Sequence, residues 1–248
     1  MLKYQSLFLI GLTFFLSSCS SIYMPNVPNT PMLTTQGELH ASGHLSLKGN
    51  SSLNTAFAVS ENLGIIVNGS IVNRDQKKKD FRQNLLEVGA GYFTNFGVEN
   101  ERILEVYAGV GKGNSDRTYK NQLSDGSISS ERQEVKFNKS FLQVNYSSKK
   151  KRSLRLFGGD FPLNYGTALR ASYLSMTDFV INNVAQSKED NIFLEPIFFT
   201  RLHLSDVVQL QYTTGSNFGL KNRKYLKAGT SGITLGFVMN VGGLKLKK

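Results

Sequence analysis

Three histidines, one cysteine and 18 carboxylates are the side chains of this 248-residue chain that could carry acid–base, nucleophilic or metal chemistry. His40 and His44 fall on one face of an alternating segment, and His203 lies far along the chain. Four residues of extended strand span roughly 13 Å, too far for one metal ion without a bend, so the pattern predicts an interior polar pair and no metal site. Gly109-Val110-Gly111-Lys112-Gly113 superficially resembles a phosphate loop. It lacks the required spacing, no helix follows it, and glycines that make room inside a barrel explain it better. Glu87 and Glu105 have the chemistry for proton transfer, but no Ser-His-Asp or paired-carboxylate motif accompanies them. The expectation is therefore a protein without catalytic chemistry and without a cofactor.

The single cysteine, Cys19, has a distinctive setting. Lys3 precedes an apolar run from Leu7 to Phe15, which ends in Leu16-Ser17-Ser18-Cys19. A positive start, a short apolar stretch and small residues before a cut make a secretory signal, and the run is too short to span a bilayer. Leu-Ser-Ser-Cys resembles the lipobox of bacterial lipoproteins. The resemblance implies that residues 1–18 are a removed signal peptide and that Cys19 becomes the acylated first residue of the mature chain. It also closes the thiolate-enzyme and disulfide readings. Ser20 stands where an inner-membrane retention signal places Asp, which implies an outer-membrane protein anchored in lipid, in the periplasmic leaflet.

Residues 19–36 carry Pro25, Pro28 and Pro31 among Asn and Thr, a composition suited to an extended tether between lipid and domain. From 37 to 248 no long run keeps helical spacing, whereas apolar and polar residues alternate repeatedly between Gly, Asn and Asp punctuation. The prediction is all-β, an antiparallel up-and-down barrel of about ten strands. One face carries Leu39, Leu45, Phe57, Val67, Val88 and Val106, the other mostly Gly, Ser, Asn and Gln. Gly158-Gly159-Asp160 and Pro162 suggest a bulge or interruption within a strand. Short links at Glu61-Asn62, Gly97 to Asn100 and Ser205-Asp206 alternate with long polar ones from Asn73 to Gln83, Asn114 to Glu131, Phe179 to Asn191 and Gly215 to Ser231. That asymmetry suits an outer-membrane barrel.

The same alternation fits a soluble barrel with inside and outside exchanged, so the polar face must discriminate. It is poor in Lys and carries Glu38, Glu87, Glu105, Arg170, Glu195 and Arg201 singly, a possible charge cluster that pairs inside a closed lumen; Pro196 makes Glu195 and Arg201 the hardest to place. Against insertion stand a C-terminus without an aromatic residue and the absence of Trp. The favoured expectation is a lipid-anchored outer-membrane barrel with a structural or accessory role, a pattern similar to that of outer-membrane β-barrel lipoproteins. The alternative is a tethered periplasmic barrel carrying an apolar ligand among Phe57, Val88, Val106, Leu235 and Phe237; an envelope lipid or glycan enzyme comes third. The net charge of +11 is concentrated in Lys77–Lys79, Lys149–Arg152, Lys221 to Lys227 and the terminal lysines. Such basic rims suit anionic lipid headgroups, and an exported chain makes nucleic acid an improbable partner.

Overall fold

The computed structural model describes residues 21–122, 128–156, 158–227 and 232–242. Ten antiparallel staves form the wall: β1 (Glu38–Ser46), β2 (Asn50–Ala58), β3 (Leu63–Asp75), β4 (Lys79–Phe96), β5 (Arg102–Gln122), β6 (Ile128–Leu156), β7 (Gly159–Ile181), β8 (Asp190–His203), β9 (Val208–Gly215) and β10 (Gly232–Gly242). Each pairs with the next, and β10 pairs with β1 from Glu38 opposite Gly242 to Ser46 opposite Thr234, so the sheet closes. Two-residue ladders at Val184–Ala185 and Phe218–Gly219 extend β7 and β8 at one rim. The all-β, up-and-down barrel expected from the alternation is the architecture observed.

The faces settle inside from outside. Leu39, Leu45, Leu53, Ile65, Val67, Leu86, Val88, Leu142, Leu235 and Phe237 are exposed on the exterior, while Asn54, Asn68, Glu87, Glu105, Lys139, Gln143, Arg170 and Gln211 are buried in the lumen. On β3 the apolar exterior runs from Leu63 to Ile71, about 27 Å along the strand. A tilt of about 40° projects this to about 21 Å, near the height of a membrane-facing band. Exposed Phe57, Tyr92, Phe96, Tyr146 and Tyr165 gather towards the rim of the short turns, and Tyr173 and Phe218 lie towards the other. The Phe96 and Tyr146 rings approach to 6.3 Å. Phe and Tyr thus supply the exposed aromatics towards both rims of a chain without Trp.

Two details differ from the sequence reading. The glycines at 158 and 159 mark the reversal between β6 and β7, with Gly158 at φ 83, and not an interruption within one strand. Two of the long polar links are largely continued strand: β3 and β4 pair out to Asp75 and Asp80, and β5 and β6 pair out to Gln122 and Ile128. Their outward residues there are polar and form exposed ion pairs, Arg132 with Asp116 at 2.5 Å and Lys136 with Asp178 at 3.7 Å. Hydrogen-bonded ladders persist past the apolar band because alternation continues with water on one side.

The phosphate-loop look-alike lies on β5, its glycines turned inward. A Cβ at Gly109 would stand 2.4 Å from the Val88 carbonyl oxygen and 2.5 Å from Phe141, and one at Gly113 would stand 2.5 Å from Phe137. These glycines admit aromatic rings of β6 to the lumen. Gly109→Val should therefore lower unfolding stability in detergent by about 1–3 kcal/mol or prevent refolding, because backbone and ring must move. Val110→Leu, on the exterior of the same strand, should leave the denaturant midpoint unchanged.

Candidate functional site

The lumen is occupied by the chain's own N-terminal segment. Residues 21–36 form neither helix nor strand, and Ile22, Tyr23, Asn26, Val27, Asn29, Thr30, Met32 and Leu33 are buried. Prolines 25, 28 and 31 keep the segment extended, as its composition suggests. Its position inside the barrel, in place of a free run outside the domain, was not legible from that composition.

The thread's polar groups are met by the wall in chain order. Ser115 donates to the Ile22 carbonyl at 2.7 Å, and Gln83 both accepts from the Met24 amide at 2.8 Å and donates to its carbonyl at 2.6 Å. Asn50 reaches the Pro25 carbonyl at 3.2 Å, and Asn54 the Val27 carbonyl at 3.1 Å. Asn145 donates to the Asn29 carbonyl at 3.0 Å, while Asn29 itself donates to Asn68 at 2.9 Å. Arg201 holds the Thr30 carbonyl and hydroxyl, and Glu105 accepts from the Leu33 amide at 3.2 Å. At the exit Glu38 accepts from the Thr34 amide at 2.7 Å, and Gly37, at φ 82, turns the chain into β1.

At the centre lies a buried charge quartet. Lys139 contacts Glu87 at 2.7 Å and Glu195 at 3.5 Å, and Arg170 contacts Glu87 at 3.0 Å. Two carboxylates meet two cations, which is the balance that burial demands. Tyr23 of the thread completes it: its hydroxyl donates to Glu195 at 3.0 Å and accepts from Lys139 at 2.8 Å. Its ring packs on Phe137 at 5.6 Å and Phe193 at 5.1 Å. With Ile22, Leu85, Val135, Leu174, Met176 and Leu226 these rings form an apolar collar inside the lumen.

Of the six charges singled out by sequence, Glu87, Arg170 and Glu195 come together in this quartet. Glu105 sits lower, bonded to Tyr107 at 3.1 Å and Asn145 at 3.1 Å, and Arg201 binds Gln211 at 2.6 Å and the thread. Glu38 lies at the rim, outside the cluster. Pro196 does not break β8. Its carbonyl accepts from Ser216 just past the last β8–β9 pair, Ile197 with Gly215, so the missing donor faces a side where the neighbouring stave has ended. Sequence reasoning missed Lys139. Its signal was its parity with Gln143 and Asn145 on β6, a strand whose faces were not separated. His40 bonds Asn240 at 2.7 Å and His203 bonds Asn164 at 2.7 Å, and among the described residues no group of His, Cys, Asp or Glu could hold a metal ion. Cys19 lies outside the described residues.

The residues proposed to line an apolar ligand space are on the other side of the wall. Phe57, Val88, Leu235 and Phe237 are exposed on the exterior, and Val106 shares their face. The alternation that admitted both barrels resolves to the polar face inward. Two cavities flank the thread. One, about 350 Å³, opens at the long-link rim beside Tyr23, Met24, Lys48, Arg74 and Lys79; the other, about 420 Å³, opens at the short-turn rim beside Met32, Glu38, Lys149 and Arg201.

The link after β9 folds over the first of these mouths. Glu189 accepts from the amides of Lys224, Tyr225 and Leu226 at 3.0, 3.0 and 2.7 Å, and Asp190 pairs with Lys221 and Arg223, each at 2.5 Å. Leu226 joins the collar against Ile22, and Ser21 donates to the Lys227 carbonyl. Lys221, then Arg223, holds the Asp190 carboxyl down to about 2.

No family model matches this chain, and no curated protein sequence matches it. Among solved structures it is similar to the translocator domain of the autotransporter NalP from Neisseria meningitidis, at 13% identity over 82% of this chain and 86% of that one, with a TM-score of 0.43. It is also similar to the N-terminal β-barrel domain of Pseudomonas aeruginosa OprF, at 11% identity over 84% of this chain and 100% of that one, with a TM-score of 0.33. Similarities this distant leave the functional reading to the chain's own geometry.

Lys139→Met should cost about 3–5 kcal/mol in denaturant unfolding from micelles, since Glu195 loses its buried cation and Glu87 keeps only Arg170. Tyr23→Phe, which removes only a hydroxyl, should cost about 1–3 kcal/mol. The reverse order would show that the quartet is not what holds the thread. A depressed Asp190 stabilises the folded link above its unfolded pKa of about 3.9 and loses that contribution only as pH falls through about 2. Protease resistance of residues 216–227 should therefore persist from pH 8 to pH 4, and Asp190→Asn should abolish the protection at neutral pH.

Proposed function

We propose that this chain is an outer-membrane β-barrel that spans the bilayer through its own staves, is anchored in addition by acylated Cys19, and serves the envelope as a structural or accessory component without catalytic chemistry. One observation carries the reading: a closed wall whose exterior is a continuous apolar band while ionised side chains are buried within. A barrel that faced water with Leu45 at 67% and Phe237 at 59% exposure, repeated around its circumference, would aggregate. Lipid is the solvent for that surface. Of the basic residues, Lys77 and Lys78 are exposed at the β3–β4 tip and are the ones open to anionic headgroups, at about 1 kcal/mol each, whereas Lys79 and Lys149 border the two cavities. The carrier reading loses its cavity, because the apolar face that would line it points outward. The enzyme reading draws no support from the described lumen carboxylates, which are engaged by Lys139, Arg170, Asn145 and the thread.

The test separates staves from anchor. A Cys19→Ala chain exported by a nonlipoprotein signal should stay in the outer membrane through carbonate and urea washes and leave only in detergent. Release into the soluble periplasm would mean that acyl chains alone hold the protein. Deleting residues 21–33 should raise single-channel conductance in planar bilayers above that of the full chain, because the thread fills the lumen between its two mouths.

A further inference from the structure

The direction in which the thread runs has a consequence for the anchor, and it rests on the lipidated reading of Cys19. Ser21 touches Lys227 in the link after β9, and Ile22 touches Ser115, near the end of β5 that leads to residues 123–127. Thr34 and Glu38 meet at the opposite rim, beside the short turns, where Gly37 donates to Ala58 at 2.9 Å. Between them the segment crosses the lumen from one rim to the other in thirteen residue steps, at most about 45 Å, enough to traverse a hydrocarbon core of about 30 Å. Outer-membrane barrels keep short turns on the periplasmic side and longer links outside.

We infer that the mature N-terminus leaves the barrel at the long-link rim, so that the lipid on Cys19 is delivered to the outer leaflet and not the periplasmic one. Cys19 lies two residues before Ser21, within about 7 Å of it along the chain. It therefore reaches the short-turn side only if the thread is withdrawn and every contact from Ile22 to Leu33 is lost.

The wall is built to let an acyl chain out. Staves β4 to β7 rise well past the apolar band at this rim, whereas β1 and β2 are nine residues each and meet in the turn Leu47-Lys48-Gly49. The 350 Å³ cavity opens along this low side, between Met24, Pro25 and Val27 of the thread and Ser46 and Lys48 of the turn. Leu47, 89% exposed, crowns the turn and Leu45 stands below it on the lipid face. A hydrocarbon chain leaving the mouth over this notch passes Ser46 and Lys48 and then meets Leu47 and Leu45 on the apolar exterior.

The experiment uses the full lipidated chain. Acylation consumes the Cys19 thiol, so Ser21→Cys, Lys77→Cys and Asn62→Cys each present a single free thiol to a small membrane-impermeant reagent. Lys77 marks the long-link rim and Asn62 the short-turn rim. Ser21→Cys should react in intact cells together with Lys77→Cys, at least about tenfold faster than Asn62→Cys, which should need permeabilisation. An epitope inserted between Ser20 and Ser21 gives the same reading by antibody should the thiol be shielded. Reaction of Ser21→Cys only after permeabilisation, with Lys77→Cys reactive from outside, overturns the inference. Reaction of Asn62→Cys from outside overturns the leaflet assignment by reversing the barrel. Metabolic labelling with radioactive palmitate reports the anchor separately: no label on Cys19 removes the lipid reading, while the thiol pattern still reports which way the thread runs.

Discussion

A wall that is apolar outside and polar inside must satisfy its own interior. The lumen of a barrel this narrow holds little water, and each charge brought into it needs a partner there, because an unpaired buried ion costs several kcal/mol. Glu87, Glu195, Lys139 and Arg170 meet that condition among themselves, across staves β4, β6, β7 and β8. The arrangement ties opposite sides of the barrel together through its centre, which hydrogen bonding between neighbouring staves does not do. The thread enters this scheme as a participant, since Tyr23 stands between Lys139 and Glu195.

The thread in turn poses a problem that only the wall can solve. An extended segment with three prolines has no ladder of its own, and its buried amides and carbonyls need donors and acceptors from elsewhere. The wall answers with Gln83, Asn50, Asn54, Gln143, Asn145, Arg201 and Glu105, amide and charged side chains that reach from the strands to successive residues of the segment. Apolar contacts close both ends. Ile22 and Tyr23 sit in the collar near the long-link rim, and Leu33 packs with Ala56, Ile66, Phe93 and Phe141 nearer the short turns. The lumen is thus a protein core with an inverted composition at its middle and ordinary hydrophobic packing above and below.

Much of this was legible in the chain. Strict alternation in β1 to β5 placed Glu87 and Glu105 on the face opposite Val88 and Val106, and the spacing of short links gave the order of staves. Inside and outside were not decided by alternation alone, because period two is symmetric to that exchange. The scarcity of Lys on the polar face was the discriminating signal, and Lys139 was the exception that mattered, hidden in a strand 29 residues long whose bulges at Lys136/Phe137 and Ser148/Arg152 shift its pairing register. Arg201 and Glu195 lie on the inner face in spite of Pro196, because a proline at the end of a neighbouring stave leaves the strand intact.

The thread was the feature that sequence could not place, for a physical reason. Pro, Asn, Thr and Ser are the residues of a solvated linker, and they are equally the residues that suit a polar lumen, since both environments ask for an extended backbone with side chains that hydrogen-bond. What separates the two is the pairing of that segment with distant strands, which local composition does not record. The hints are Ile22, Tyr23 and Met24 near one end, Val27 in the middle, and Met32 and Leu33 near the other, apolar residues in a run otherwise suited to water. A boundary drawn at residues 36 and 37 therefore divides the chain by composition, whereas the energetic unit begins at the first residue of the thread that the wall holds, because the interior of the barrel is completed by what precedes β1.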